Sequence, residues 1–195
     1  MKNLFLAILL FSSLSIFAQV NLSQISSELC NRETSGKGNS NNLQIKLSVP
    51  CNWEKIESTQ SNIVFNYEYK TTGKLRVALI ITKLPKEVTD AEIKSHFTLE
   101  GLKTIGSNSS GTVISSKLLT VNNLKGGEVI RKTISKKNEA DLYYNGIQNY
   151  FVFDRNLICI EYLYSALKDD FTLHYETYLK TFRSLIKRTT FYRVQ

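Results

Sequence analysis

Leu75-Arg76-Val77-Ala78-Leu79-Ile80-Ile81, followed eight residues later by Thr89-Asp90-Ala91-Glu92, decides how this chain folds. Leu75, Val77, Leu79 and Ile81 alternate along one face of a strand, while Ala78 and Ile80 keep the other face apolar as well. A strand that is apolar on both sides belongs in the middle of a sheet covered on both faces. Thr89-Asp90-Ala91-Glu92 is a capping box, in which a threonine hydroxyl and a glutamate carboxylate each take a backbone N–H left open at a helix start. Ile93, Phe97, Gly101 and Ile105 then recur every four residues with Leu102 beside them, which predicts one helix closed by Gly106.

The same period-two reading extends in both directions. Leu43, Ile45, Leu47 and Val49 form a strand ended by Pro50, and Ile63, Phe65, Tyr67 and Tyr69 form another, with Thr71-Thr72-Gly73 as the turn after it. Further strands are expected over 112–121, 125–135, 142–153 and 157–164, the last two joined by a turn at Asp154-Arg155-Asn156. A final helix begins near Asp169-Asp170, acids that suit a helix N-terminus. Its buried stripe is Phe171, Tyr175, Tyr178, Leu179, Phe182, Leu185 and Ile186. The order indicates one α+β domain, an antiparallel sheet of about six to seven strands flanked by two main helices. Before it, residues 20–41 are polar, with one helical turn expected around Ile25 to Leu29.

At the N-terminus, Met1-Lys2 precedes a short apolar run from Leu4 to Phe11. The run is about half the roughly 20 residues that a spanning helix needs. Small Ala18 suits the position before a signal peptidase cut, so residues 1–19 read as a signal peptide, and the mature protein as exported, periplasmic or secreted, with no later membrane span. In an oxidising compartment the three cysteines matter. Cys30 and Cys51 flank a Gly/Ser/Asn-rich loop and are the expected disulfide; Cys159, mid-strand, is expected as a buried free thiol.

In order and local motifs, the chain resembles the PsbP-like superfamily, which includes a photosystem II extrinsic subunit, Ran-binding Mog proteins and DcrB-like periplasmic proteins. The resemblance rests on Leu47-Ser48-Val49-Pro50-Cys51-Asn52-Trp53, on the central strand and capped helix, on a turn at Leu124-Lys125-Gly126-Gly127-Glu128, and on the closing helix ending Tyr178-Leu179-Lys180-Thr181-Phe182-Arg183-Ser184-Leu185-Ile186. It covers residues 42–188 and implies an α/β/α sandwich with a binding or accessory role and no catalysis. Cys51 departs from the usual small or charged residue there.

The chain has 195 residues, 42% of them apolar, with 25 Lys and Arg against 17 Asp and Glu, a net charge of +8. That composition excludes a polytopic membrane protein, a disulfide mini-scaffold and a disordered acidic tail. Two histidines, His96 and His174, stand 78 residues apart, neither with a His or Cys at metal spacing, so no metal, cofactor or catalytic residue is expected. Gly106-Ser107-Asn108-Ser109-Ser110-Gly111 follows a helix rather than a strand and is not a nucleophile elbow. Glu161 falls on the Leu157, Cys159 and Leu163 face; an ion pair with Arg76 or Arg131 is expected for it. Nucleic acid is not an expected partner, for want of a recognition motif.

The charge is unevenly placed. Residues 177–195 hold Lys180, Arg183, Lys187, Arg188 and Arg193 and no acid. Without Lys2 the mature chain carries +7, which leaves +2 for residues 20–176. Lys180, Arg183 and Lys187 fall together on the helix, opposite Phe182, Leu185 and Ile186. Two readings are open. The stripe is a solvated face whose cations complement the helix dipole, or it is a docking face, extended by the basic tail 189–195, for a protein or anionic envelope partner. Tyrosines on the strands add a second possibility, a carrier whose closed pocket between sheet and helix holds a small apolar ligand or lipid. A hydrolase is the third reading, and would need Glu161 beside a histidine. The N-terminal reading has a direct check: mass spectrometry of the exported chain should find its first residue just after Ala18 or Gln19, and an intact Met1-Lys2 would refute it.

Overall fold

A computed structural model describes residues 28–70, 74–107, 111–137 and 140–193. The expected signal peptide, residues 20–27 of the polar segment, the Thr71-Thr72-Gly73 turn and residues 108–110 lie outside those ranges. Among the described residues ten strands and three α-helices follow in order: β1 (Leu29–Glu33), β2 (Leu43–Pro50), β3 (Glu54–Lys55), β4 (Ile63–Lys70), β5 (Lys74–Lys83), α1 (Asp90–Ser95), α2 (Leu99–Ser107), β6 (Thr112–Val121), β7 (Leu124–Lys137), β8 (Ala140–Phe153), β9 (Asn156–Leu167), α3 (Lys168–Ile186) and β10 (Thr190–Arg193). The fold is α+β, as expected. Seven strands form one antiparallel sheet in the order β3-β4-β5-β9-β8-β7-β6, and β1-β2-β10 form a second.

Period two sets what each face meets. Leu75, Val77, Leu79 and Ile81 of β5 share a core with Ile158, Ile160, Tyr162 and Tyr164 of β9, Phe182 and Leu185 of α3, and Leu43, Ile45 and Leu47 of β2. The opposite face carries a smaller core of Cys159, Tyr150, Val152 and Val129 under Phe97 and Leu102. The large sheet is thus covered by α1 and α2 on one side and by α3 with the small sheet on the other. Tyr162 stacks on Phe182 at 5.0 Å, and Tyr164 lies 4.2 Å from Tyr178. Tyr178, Leu179, Phe182, Leu185 and Ile186 are all buried and Tyr175 is half-buried, while the Phe171 side chain lies outside the description. Burying each large side chain of that stripe is worth roughly 2–3 kcal/mol, so the helix is held by this face rather than by its own propensity.

Four local expectations are corrected. The count of seven strands holds, but β2 leaves the large sheet and two-residue β3 takes the edge beside β4. Leu29 begins a strand, not the end of a helical turn; β1 pairs with β2 from Leu29 opposite Pro50 to Glu33 opposite Lys46. The single helix expected after the capping box is two. Thr89 caps α1 as read: its N–H donates to Glu92 Oε2 at 2.6 Å and its hydroxyl accepts from the Glu92 N–H. At His96 the chain breaks so that Phe97 can drop into the smaller core, and Thr98 Oγ1 then accepts from the N–H of Gly101. Only glycine fits at 101, where a Cβ would lie 2.0 Å from the His96 carbonyl oxygen. Finally, Gly126 and Gly127 are strand residues. The turn is Asn122-Asn123, both left-handed, and a Cβ on Gly127 would sit 2.2 Å from Leu102, so this glycine lets α2 lie against the sheet.

The disulfide Cys30–Cys51 is present, closing 21 positions and tying edge strand β1 to the end of β2. Cys159 is free and buried. Closing a loop of that length restricts the unfolded chain by roughly 3 kcal/mol. A Cys30→Ser, Cys51→Ser variant should therefore lose roughly 2–4 kcal/mol in reversible denaturant unfolding; a change within the error of the measurement would show that β1 is held by its ladder alone.

Candidate functional site

The five C-terminal cations do not act as one group. Arg183 turns from α3 toward the sheet and donates from Nη2 to Glu128 Oε1 at 2.6 Å and from Nε to both carboxylate oxygens at 3.2 Å. The Glu128 side chain is 2% exposed, and Lys117 Nζ lies 3.3 Å from its Oε1. The hydrogen bonds to Glu128 hold the Arg183 guanidinium above its ordinary pKa. Arg183 is thus a structural counter-ion, although helical spacing groups it with Lys180 and Lys187. Arg193 lies on β10 and pairs with Asp154 at 3.4 Å. Lys180, Lys187 and Arg188 are exposed, and among the described residues no carboxylate lies within 4 Å of them.

Residues 189–193 of the basic tail are folded as well. Its Phe191 pairs with Ile45 and packs 5.1 Å from Phe151, while Asn122 Nδ2 donates to the Thr189 carbonyl.

A second feature lies on the other side of the sheet, where α1 stops short of the β6–β7 hairpin. An open groove of about 440 Å³ is lined by Lys94 and Phe97 from the end of α1, Leu118, Leu119 and Thr120 from β6, and Lys125 and Gly126 from β7. Sequence reasoning passed these residues over. The one signal available was Leu118, an apolar side chain that remains 56% exposed on an edge strand. A carrier is expected to hold its ligand in a closed apolar pocket; this space is a groove open to solvent.

The third cluster carries the remaining chemistry and is quiet. Tyr150 Oη donates to Gln148 Oε1 at 2.7 Å, and Gln148 Nε2 donates to Glu161 Oε1 at 2.9 Å. Arg76, one of the two partners expected for Glu161, instead donates to Asn66 at 2.6 Å. Burial pushes the Cys159 thiol and the Tyr150 phenol well above their ordinary pKa values, so neither offers an anion at neutral pH. His174 is on α3, across the sheet from Glu161, and meets Tyr178 edge-on at 6.2 Å. His96 is exposed at the end of α1. Among the described residues no group of three or more His, Cys, Asp or Glu is placed to hold a metal ion.

No protein-family model matches the sequence. No curated protein matches it either. Solved structures do. LpqN, involved in cell envelope biogenesis of Mycobacterium tuberculosis, is 14% identical with a TM-score of 0.54, the match covering 88% of this chain and 96% of that one. Cyanobacterial PsbP (CyanoP) from Synechocystis sp. PCC 6803 is 12% identical with a TM-score of 0.53, over 92% and 99% of the two chains. The fold is therefore the PsbP-like one that the strand and helix order indicated.

The ion pair yields a sharp expectation. Arg183→Ala leaves a buried carboxylate with one cation and should cost roughly 2–4 kcal/mol, whereas Lys180→Ala should stay within about 0.5 kcal/mol. Urea unfolding of both variants decides this, and equal small losses would mean that Arg183 is a surface residue after all.

Proposed function

We propose that this chain is an exported accessory protein without catalysis, which docks on an anionic component of the cell envelope through Lys180, Lys187 and Arg188. The single observation behind this reading is the exposure of these three cations without carboxylate partners. Arg183 and Arg193 next to them are each paired. Cations held on a rigid helix and its exit attract an anionic surface at about 1 kcal/mol each near the surface, an attraction that salt screens. Three features support the reading further: the signal-like N-terminus, the Cys30–Cys51 bridge, and the fold shared with LpqN, a protein involved in envelope biogenesis. None of the described helices is long and apolar enough to cross a membrane, so attachment through a surface fits.

A second reading, a carrier of an amphipathic small molecule, is favoured by the groove between α1 and the β6–β7 hairpin.

The docking reading is tested by mixing the purified exported chain with envelope fractions and pelleting at rising salt. Retention at low salt, released by salt and lost in the triple variant Lys180→Glu, Lys187→Glu, Arg188→Glu with unchanged melting temperature, is the expected result. Equal retention of both proteins, or retention of neither, overturns it. Arg183 is kept out of the variant because its loss would itself destabilise the protein and confuse the reading.

A further inference from the structure

Lys94, Phe97, Leu118, Leu119, Thr120, Lys125 and Gly126 come from the end of α1 and from the β6–β7 hairpin well beyond it in sequence, and they meet in one groove. Its volume, about 440 Å³, lies in the range of small-molecule sites. The two kinds of surface in it are separate. Phe97 and Leu118 supply the apolar surface, while Leu119, the next residue of β6, packs against the core on the other face; Leu118 is one of the few large apolar side chains more than half exposed. The polar groups are two ammonium groups and one hydroxyl, with no carboxylate or amide side chain among the lining residues. Lys94 belongs to α1 and Lys125 to β7, and both are exposed. Among the described residues no carboxylate lies within 4 Å of either, while Lys103 and Lys117 close by in sequence are each paired.

An apolar strip with two unpaired cations at its rim complements one chemistry. We infer that the groove binds a single-chain carboxylate amphiphile, its acyl chain on Phe97 and Leu118 and its carboxylate between Lys94 and Lys125. An acceptor-only head group matches a donor-rich rim, because a carboxylate accepts from both ammonium groups and relieves their mutual repulsion. The acyl chain removes from water the Leu118 side chain that the fold leaves exposed. This inference names the ligand for the carrier reading and rests on it. It does not depend on docking through α3, since Lys94 and Lys125 sit on the opposite side of the large sheet.

The test is a titration of the isotopically labelled exported chain with decanoate, below its micellar concentration, followed by amide chemical shifts. Shifts concentrated at Phe97, Leu118 to Thr120 and Lys125 to Gly126 are expected. A Lys94→Gln, Lys125→Gln variant with unchanged melting temperature should bind decanoate at least tenfold more weakly, and decanol should bind the original protein at least tenfold more weakly than decanoate. Decyltrimethylammonium, with the same chain and the opposite charge, should leave these amides unmoved. The inference is overturned if decanoate shifts nothing up to its solubility limit, if the shifts fall elsewhere, or if the cationic amphiphile or the double variant behaves like the original pair. Because the α3 reversal leaves these residues untouched, failure here and failure of envelope docking are separate results.

Discussion

A carboxylate that is almost wholly out of water organises this protein. Glu128 stands in the middle of β7, 2% exposed, and an isolated ion there would cost several kcal/mol. Arg183 and Lys117 meet it from two sides, one from α3 and one from the edge strand. The bond between Arg183 and Glu128 joins residues 55 positions apart, so it fixes the long helix against the far strands of the sheet rather than against its nearest neighbours. Once the helix is seated there, Phe182 stacks on Tyr162, Tyr178 packs tilted against Tyr164, and β2 closes over the rest of that face. The hydrophobic contacts supply most of the stabilisation. The ion pair supplies direction, because an unpaired Glu128 penalises any other seating of the helix.

That division also reorders the charge of the molecule. Summed along the sequence, the C-terminal half of α3 and the tail look uniformly basic. In space, two of the five cations are neutralised by Glu128 and Asp154, and three face solvent. What remains is a small, defined positive patch on one side of the large sheet. A second pair of cations lies beside an apolar groove on the other side. The two faces are chemically different.

How far the sequence alone could lead depends on range. Leu43 to Val49, Ile63 to Tyr69 and Leu75 to Ile81 show their faces because a strand's period is local. The capping box at Thr89 is equally local, and its bonds form as read. What failed was set by partners distant in sequence. Nothing near His96 says that the helix must break there; the reason is the pocket under Phe97, built by β8 and β9. Gly126-Gly127 looks like a turn until Leu102 is known to lie over it. β1 and β10 are polar and short, and only β2 between them makes them strands. The spacing that groups Arg183 with Lys180 and Lys187 is correct as geometry, yet Glu128 reaches in from another element. Of the groove, only Leu118 was legible, as an apolar residue on a strand edge, since its other walls come from α1 and β7.

The small sheet has a mechanical side. β1 and β10 both run antiparallel to β2, so the chain enters beside Pro50, at Leu29, and leaves beside Leu43, at Arg193. Tension applied between those two points pulls along the strands and strains many ladder hydrogen bonds at once, instead of opening them one after another like a zip. The Cys30–Cys51 bridge keeps β1 from sliding along β2 under such a pull. Pulled between β1 and β10, the domain would yield last at β2, the strand that both grip.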